Sequence, residues 1–203
     1  MDNDPHIDPQ RTRRAARPGV RHLCAALAAA LLCAAPPSRA ASYELEVSKS
    51  RRLLTVRDGE QVKATFQVAL GRGGKGDKSR LGDNKTPVGT YRIVGVTDST
   101  AFDTFLRLNY PNVKDAFYGL KHALITRGDF DRIVMALRHN QVPPQNTRLG
   151  GAIGIHGLGE ETPEKVHIQN KLDWTQGCIA LRNHDLHALR PYIDVGTRVV
   201  ITE

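Results

Sequence analysis

Short apolar runs separated by turn residues fill the chain from Tyr43 to about Asn109. In the first run, apolar residues at positions 43, 45 and 47 alternate with polar ones, which is typical of a strand with one buried face. Later runs cover residues 52–57, 62–70, 91–96 and 105–110, and turn residues such as Asp58-Gly59 lie between them. This half of the chain is therefore predicted to form an antiparallel meander of strands.

The apolar spacing becomes helical after Pro111. Four apolar residues recur at i, i+3, i+4 and i+7, which predicts one face of an amphipathic helix: Phe130, Ile133, Val134 and Leu137. Asp129 or Asp131 is expected to cap its start, and the Pro143-Pro144 pair ends it because proline cannot continue a helix. We interpret residues 114–149 as a helical insertion in the β framework. It either lies beside the mouth of a site at the strand that follows, or only covers one face of the sheet.

The last fifty residues return to strands with one short helix. Residues 152–156 are predicted to form a strand, and Asn183 is expected to cap a helix whose buried face carries Leu186, Leu189 and Ile193. Gly196 separates that helix from a final strand at residues 197–202. The pattern predicts a mainly β (α+β) fold for residues 41–203, and this length suits one domain.

The first forty residues have a different composition. Five arginines at positions 11–21 precede an uninterrupted apolar run, residues 23–35, that is too short to span a bilayer as a stable helix. Ser38 and Ala40 place small residues where a signal peptidase cuts. We therefore expect residues 1–40 to be a signal peptide, the mature chain to start near Ala41, and the protein to be secreted to the periplasm or cell wall.

Charge and cysteine usage narrow the function. Residues 41–203 carry 23 lysines and arginines against 18 aspartates and glutamates, a mild excess that suits an anionic polymer. No arginine-rich stripe with interleaved aromatic residues indicates a nucleic-acid partner. Cys24 and Cys33 lie in the predicted signal, so the mature chain has the single thiol Cys178. A lone thiol is either a small buried hydrophobe or a functional group, and composition leaves both open.

Two motifs favour the functional interpretation of this thiol. A predicted apolar strand ends in His156-Gly157, and Thr175-Gln176-Gly177-Cys178 places the cysteine just after a glycine. A nearby imidazole can take the proton of a thiol and produce the attacking thiolate. Gly177 has no side chain, so we expect its N–H and that of Cys178 to approach a developing oxyanion.

These motifs resemble the signature of the L,D-transpeptidases, whose catalytic domain is also called the YkuD domain. That signature is a strand ending in His-Gly or His-Ser, a variable loop, and then Ser/Thr-His-Gly-Cys before an apolar residue. The run from Gly82 to Tyr91 resembles the family's upstream strand-turn motif, and Asn183 and Asp185 match the start of its terminal helix. The resemblance covers nearly all of residues 41–203.

The resemblance implies a YkuD-like β-sandwich or barrel with a helical insertion and a short helix after the cysteine. It implies Cys178 as the nucleophile, His156 as the general base, and the Gly157 carbonyl as the group that orients the imidazole. Gln176 and Thr175 would contact the substrate. Trp174 would either wall the site or serve only in packing.

Two positions depart from the family pattern. The histidine that usually precedes Gly-Cys is Gln176, which cannot titrate, and the arginine or asparagine often found two places after the cysteine is Ala180. His167, in the predicted variable loop, is a candidate second imidazole or a solvated side chain. His184 and His187 are expected to be solvated, and no metal or other cofactor is implied.

The function implied by the resemblance is acyl transfer on peptidoglycan stem peptides during cell wall biogenesis and the control of cell shape. A cysteine thioester would be resolved by an amine, which forms a cross-link, or by water, which makes the enzyme a hydrolase of murein or lipoprotein linkages. Another thiol peptidase and a wall-binding domain without catalysis are the competing classes. We expect a monomer without a membrane-spanning segment.

Overall fold

The structure, a computed structural model, describes residues 43–203. The predicted signal peptide and its cleavage near Ala41 lie outside these residues. No helix within residues 43–203 is both long enough and apolar enough to cross a bilayer.

Eight strands in the described part of the chain form one sheet, in the order β3-β2-β1-β8-β4-β5-β6-β7. Their bounds are β1 Tyr43–Ser48, β2 Leu53–Asp58, β3 Gln61–Gln67, β4 Gly89–Ser99, β5 Asp103–Leu108, β6 Gly154–His156, β7 Ile179–Ala180 and β8 Arg198–Thr202. The pairs β1–β8 and β6–β7 are parallel, and the other neighbours are antiparallel. The predicted meander is confirmed for β1 to β3, whereas β4 pairs with β8 and not with β3.

The chain that follows β3 joins the two edges of this sheet. Ala69 exchanges two backbone hydrogen bonds with Ala180 of β7, at 2.9 and 2.8 Å, and Thr175 donates to the Leu70 carbonyl at 3.0 Å. The predicted third strand, residues 62–70, therefore divides: β3 ends at Gln67, and the residues beyond it pair with the opposite edge. The sheet is closed at this end into a half-barrel, which leaves the short strand β7 without a free edge.

The core fills the inside of the half-barrel. Alternate residues of the strands point inward, as the period of two requires, and the side chains that they bury completely include Leu45, Leu54, Val56, Tyr91, Ile93, Leu106, Leu108, Ile155, Ile179 and Val199. The helix after the cysteine packs onto this core through Leu186 and Leu189, as predicted, whereas Ile193 is buried but lies beyond the end of that helix. The strands that carry the two motifs, β6 and β7, are thus fixed on one side by buried apolar residues.

The insertion is a separate pair of helices, α1 Val113–Lys121 and α2 Arg127–Arg138. They share a small apolar cluster that contains Ala116, Ile125, Ile133 and Leu149, with Phe130 and Leu137 packed against it. The predicted cap of α2 was wrong: Thr126 is the N-cap, and Asp129 is the third residue of a capping box that bonds back to the Thr126 N–H. Asp115 completes a similar box at α1 and accepts a hydrogen bond from the buried Tyr91 hydroxyl.

Two further helices flank β7. The segment expected to be a variable loop contains α3, Pro163–Lys171, which begins with Thr162 as N-cap and proline at its first position. The helix after the cysteine is α4, Asn183–Leu189, and its N-cap is Arg182, so the prediction that Asn183 caps it was wrong. The Asn183 side chain instead binds the loop after β6, accepting from the Leu158 N–H at 2.8 Å and donating to the Gly159 carbonyl at 2.6 Å.

Candidate active site

His156 is the last residue of β6 and is 2% exposed. Its Nδ1 lies 2.7 Å from the Gly157 carbonyl oxygen. A carbonyl only accepts, so Nδ1 carries the hydrogen and Nε2 keeps its lone pair. Burial lowers the pKa of His156 below its ordinary value, although the bond to Gly157 acts in the opposite direction. The imidazole is therefore neutral near neutral pH and able to accept a proton at Nε2.

Aromatic rings on three sides enclose the imidazole. The Phe102 ring centroid lies 4.5 Å from that of His156, and the Phe105 ring stacks at 6.2 Å with an angle of 18°. The Trp174 ring meets it edge-on at 5.9 Å. Phe102 and Phe105 belong to the β4–β5 hairpin, and Trp174 precedes the cysteine motif. These contacts restrict the ring to one orientation and keep water away from it.

Cys178 immediately precedes β7, and its side chain is partly exposed at the floor of a cavity. The thiol donates a hydrogen bond to the Ala152 carbonyl at 3.4 Å. Burial raises the pKa of the Cys178 thiol to about 11, while a hydrogen bond with the Gly154 backbone and the charges of Lys78 and Arg107 act in the opposite direction. The resting side chain is therefore a protonated thiol.

The strand register explains how the thiol and the imidazole are placed. Ile155 is paired with Ile179 in the parallel β6–β7 ladder, so Cys178 lies beside Gly154. His156 is two residues beyond Gly154, so its side chain projects from the same face of the sheet as Cys178, about 7 Å further along the strands. No hydrogen bond joins the two side chains among the described residues. Position 154 must be glycine because the Phe105 ring covers it, and a Cβ there would lie 2.5 Å from Phe105 Cζ.

The structure corrects the part expected of the Gly177 N–H. This N–H donates to the Thr175 hydroxyl at 3.1 Å, and the same hydroxyl donates to the Cys178 carbonyl at 2.8 Å. Within residues 43–203, the Cys178 N–H has no such partner and is the amide that remains available to an oxyanion. Gly177 is required for another reason: its φ is +128°, and a Cβ there would lie 2.8 Å from the Lys85 carbonyl oxygen.

The cavity has a volume of about 720 Å³ and contains both candidate catalytic residues in its wall. Trp174, Thr175 and Gln176 also line it, so all three predicted substrate contacts are brought together there. Trp174 both lines the cavity and packs, because its indole N–H donates to the buried Gln169 at 2.8 Å. The other lining residues come from loops and from the β4–β5 hairpin: Arg72, Lys78, Leu81, Gly82, Asn84, Thr97, Ser99, Phe102, Phe105, Arg107, Gly150, Gly151, Ala152 and Ile153.

The strand-turn motif upstream serves to build one wall of this cavity. Burial alone would raise the pKa of Asp83, but its hydrogen bonds with Lys78, Arg80, Ser79 and Lys85 lower the pKa to about 2. The Asp83 carboxylate lies 2.8 Å from the Lys78 ammonium, and both side chains are almost fully buried. This ion pair and its backbone hydrogen bonds fix the loop that packs against Gly71 and Gly177.

Several predicted candidates lie elsewhere. His167 is an exposed residue of α3 and is not part of the cavity wall, so it does not replace the imidazole lost at position 176. His184 and His187 are exposed, as expected, and contact Asp185 and Asp103. Ala180 is buried against Ala69 and Leu158.

The helical insertion does not form a wall of the cavity. Among the described residues, neither α1 nor α2 contributes to the lining, which instead receives residues 150–153, immediately after the insertion. Sequence reasoning also missed Arg72, Lys78 and Arg107. The alternation of β5 contained a signal for Arg107, because it follows Phe105 by two residues and so shares its face.

The half-barrel brings a thiol and a neutral imidazole into one cavity, a pair of groups suited to thiol chemistry. The chain belongs to the YkuD family, the L,D-transpeptidase catalytic domain, whose family model matches residues 42–201. No curated protein matches the sequence significantly.

Solved structures share this fold. The helical cell shape determining protein Pgp2 from Campylobacter jejuni is 23% identical, with a TM-score of 0.53 over 80% of this chain and 48% of that one. Bd1075 from Bdellovibrio bacteriovorus is 22% identical, with a TM-score of 0.48 over 80% and 48%. An L,D-transpeptidase from Xylanimonas cellulosilytica is 14% identical, with a TM-score of 0.45 over 82% and 63%. The chain spans about half the length of the first two.

Proposed function

We propose that the protein is a peptidoglycan L,D-transpeptidase that transfers the acyl group of a stem peptide through a thioester at Cys178. The observation that carries this proposal is the 2.7 Å bond between His156 Nδ1 and the Gly157 carbonyl. It fixes a neutral imidazole with Nε2 free, in the cavity that contains the thiol. Membership of the L,D-transpeptidase family supports the same reaction class.

The first half-reaction would begin when the thiol leaves the Ala152 carbonyl and passes its proton to His156 Nε2. The sulfur attacks the carbonyl carbon that joins an L-centre to the following D-residue, and the oxyanion accepts a hydrogen bond from the Cys178 N–H. The carbon–nitrogen bond then breaks. His156 returns the proton to the leaving amine, and the acyl group remains on sulfur as a thioester.

The second half-reaction would release the acyl group to an amine or to water. His156 removes a proton from the incoming nucleophile, the carbon–sulfur bond breaks, and the thiolate recovers the proton. An amine from a neighbouring stem gives a 3→3 cross-link, whereas water gives a shortened stem peptide. Secretion to the periplasm or cell wall would place the enzyme beside this polymer.

The test is mass spectrometry of purified murein tetrapeptides incubated with the protein, with and without an added acceptor amine. We expect release of the terminal D-alanine by the wild type and a thioester adduct on Cys178. The Cys178→Ser variant should remain folded and lose turnover by at least about a thousandfold, as expected when a nucleophile is removed. Cross-linked dimers would identify transpeptidation, and tripeptide alone would identify hydrolysis. Turnover retained in folded Cys178→Ser would contradict the nucleophile assignment.

A further inference from the structure

Arg107 of β5 projects from the face of the sheet that forms the cavity. Its neighbours Leu106 and Leu108 are fully buried in the core, so the alternation of the strand turns Arg107 to the opposite face, with Phe105. The guanidinium carbon lies 5.5 Å from the centroid of the Phe105 ring. That ring also stacks on His156, and Arg107 lines the same cavity as both candidate catalytic residues.

The residues opposite Arg107 on both neighbouring strands are glycines. Its cross-strand partner in β6 is Gly154, the residue beside Cys178, and its partner in β4 is Gly95. A Cβ at Gly95 would meet the Arg107 Cβ at 3.9 Å, which is ordinary contact. On the Gly154 side the Phe105 ring occupies the place of a side chain, because a Cβ there would lie 2.5 Å from Phe105 Cζ. The guanidinium group lies against this same ring.

Arg107 also differs from the other cations of the cavity. The charge of Lys78 is already balanced by Asp83 at 2.8 Å, and Arg72 is exposed to solvent at the rim. Within residues 43–203, the Arg107 side chain forms neither a hydrogen bond nor an ion pair. An unpaired guanidinium in a partly enclosed cavity is suited to a bidentate carboxylate ligand.

We propose that Arg107 binds a carboxylate of the acyl-donor stem peptide and so selects substrates that carry this charge next to the scissile bond. The inference rests on the proposed function. Two carboxylates of a tetrapeptide lie that close: the terminal one of the D-residue that leaves, and the one at the D-centre of a diaminopimelate in position three. A leaving group joined through a lysine side chain, as in a lipoprotein linkage, lacks the first of these.

The experiment compares kcat/KM on three tetrapeptides: one with both carboxylates, one with a C-terminal amide, and one with lysine in place of diaminopimelate. Arg107→Gln should lower kcat/KM on the first peptide about 10- to 100-fold, the usual effect of losing a hydrogen bond to a charged group. The same substitution should leave kcat/KM on the peptide that lacks the bound carboxylate almost unchanged. Arg107→Lys should recover part of the loss. Arg132→Gln makes the same change of charge on α2, outside the cavity, and should match the wild type.

The bound carboxylate is identified by comparing kcat/KM on each modified peptide with kcat/KM on the peptide that has both carboxylates. Where the wild type prefers the latter and Arg107→Gln does not, the carboxylate missing from the modified peptide is the one that Arg107 binds. Equal effects of Arg107→Gln on all three peptides, or no effect on any, would overturn the inference. Calorimetric binding of the same peptides to Cys178→Ser, with and without Arg107→Gln, tests it without turnover. If the wild type cleaves none of the peptides, the proposed function fails. Binding that weakens both when the carboxylate is removed and when Arg107 is replaced would then still support the role of Arg107. Binding that is unchanged by one or both of these changes would overturn it.

Discussion

The two candidate catalytic side chains differ in how firmly the structure holds them. Three aromatic rings and one carbonyl hold His156 in a single orientation and tautomer. The Cys178 thiol instead donates a hydrogen bond to the Ala152 carbonyl, and among the described residues none joins it to the imidazole. Rotation about a single side-chain bond changes the direction of the sulfur, whereas the ring is locked. Substrate binding is therefore expected to displace the thiol rather than the imidazole.

Replacing His156 by alanine should slow alkylation of Cys178 by iodoacetamide near neutral pH. The resting thiol has a pKa of about 11, so few molecules carry a thiolate at neutrality and removal of the proton by His156 is the faster route. In the wild type the rate should rise through the lowered pKa of His156, because only the neutral imidazole accepts a proton. In the variant it should rise only as the pH approaches the thiol pKa.

The exposed His187, which lies outside the cavity, provides the control for this measurement. His187→Ala should reproduce the wild-type pH profile. Superimposable profiles for wild type and His156→Ala would show that His156 is not the partner of the thiol.

At the scale of elements, the starts of α2 and α3 follow local rules that sequence can reveal. Thr126 precedes Asp129 by three residues, and Thr162 precedes Pro163, which are signals of a capping box and of a first-turn proline. Choosing aspartate as the cap of α2 placed its start too late. The helix α3 was missed because its apolar residues do not repeat with a helical period.

Thr126→Ala should lower the free energy of unfolding by about 1 kcal/mol, because the variant leaves the Asp129 N–H without its capping oxygen. Thr126→Ser keeps that oxygen and should be close to the wild type. Urea denaturation measures both. Turnover by the folded Thr126→Ala variant should be unchanged, since α2 lies outside the cavity wall. An unaltered midpoint in Thr126→Ala would show that the hydrogen bond contributes nothing.

Local patterns predicted most strands, the amphipathic helix and both motifs of the site. They could not predict the pairing of Ala69 with Ala180, because nothing near either residue records a partner more than a hundred positions away. The same limit applies to the cavity wall, where Arg72, Lys78 and Arg107 come from separate segments. Nor could the motif reveal that the Thr175 hydroxyl accepts a hydrogen bond from the Gly177 N–H, since this bond depends on the conformation of the folded turn.

At the scale of the whole molecule, the buried pair Lys78–Asp83 links stability to pH. The pKa of Asp83 is about 2 in the folded chain and 3.8 in the absence of interactions. A lowered pKa stabilises the fold at all pH values above the unfolded one and ceases to do so as the pH falls toward 2. The shift corresponds to about 2 kcal/mol.

Asp83→Asn should therefore reduce the free energy of unfolding by about 3 kcal/mol at neutral pH, because it leaves Lys78 buried without a counter-charge. The difference from the wild type should shrink between about pH 4 and pH 2, where Asp83 itself becomes protonated. Urea denaturation across this range measures the effect, with the more exposed Asp58→Asn as the control. A difference independent of pH would exclude the titration of Asp83 as its cause.

The backbone hydrogen bonds between Ala69 and Ala180 also affect the order in which parts of the chain fold. The strand β7 has two residues, and the segments that hold it lie on either side of the helical insertion along the chain. Contacts between such distant segments form late in folding, because a long loop must close first. We expect turnover to reappear only with the slowest phase of refolding, and its earlier return would contradict this order. A chain that crosses a membrane unfolded would carry no working thiol in transit, and acyl transfer would be confined to the compartment where the sheet closes.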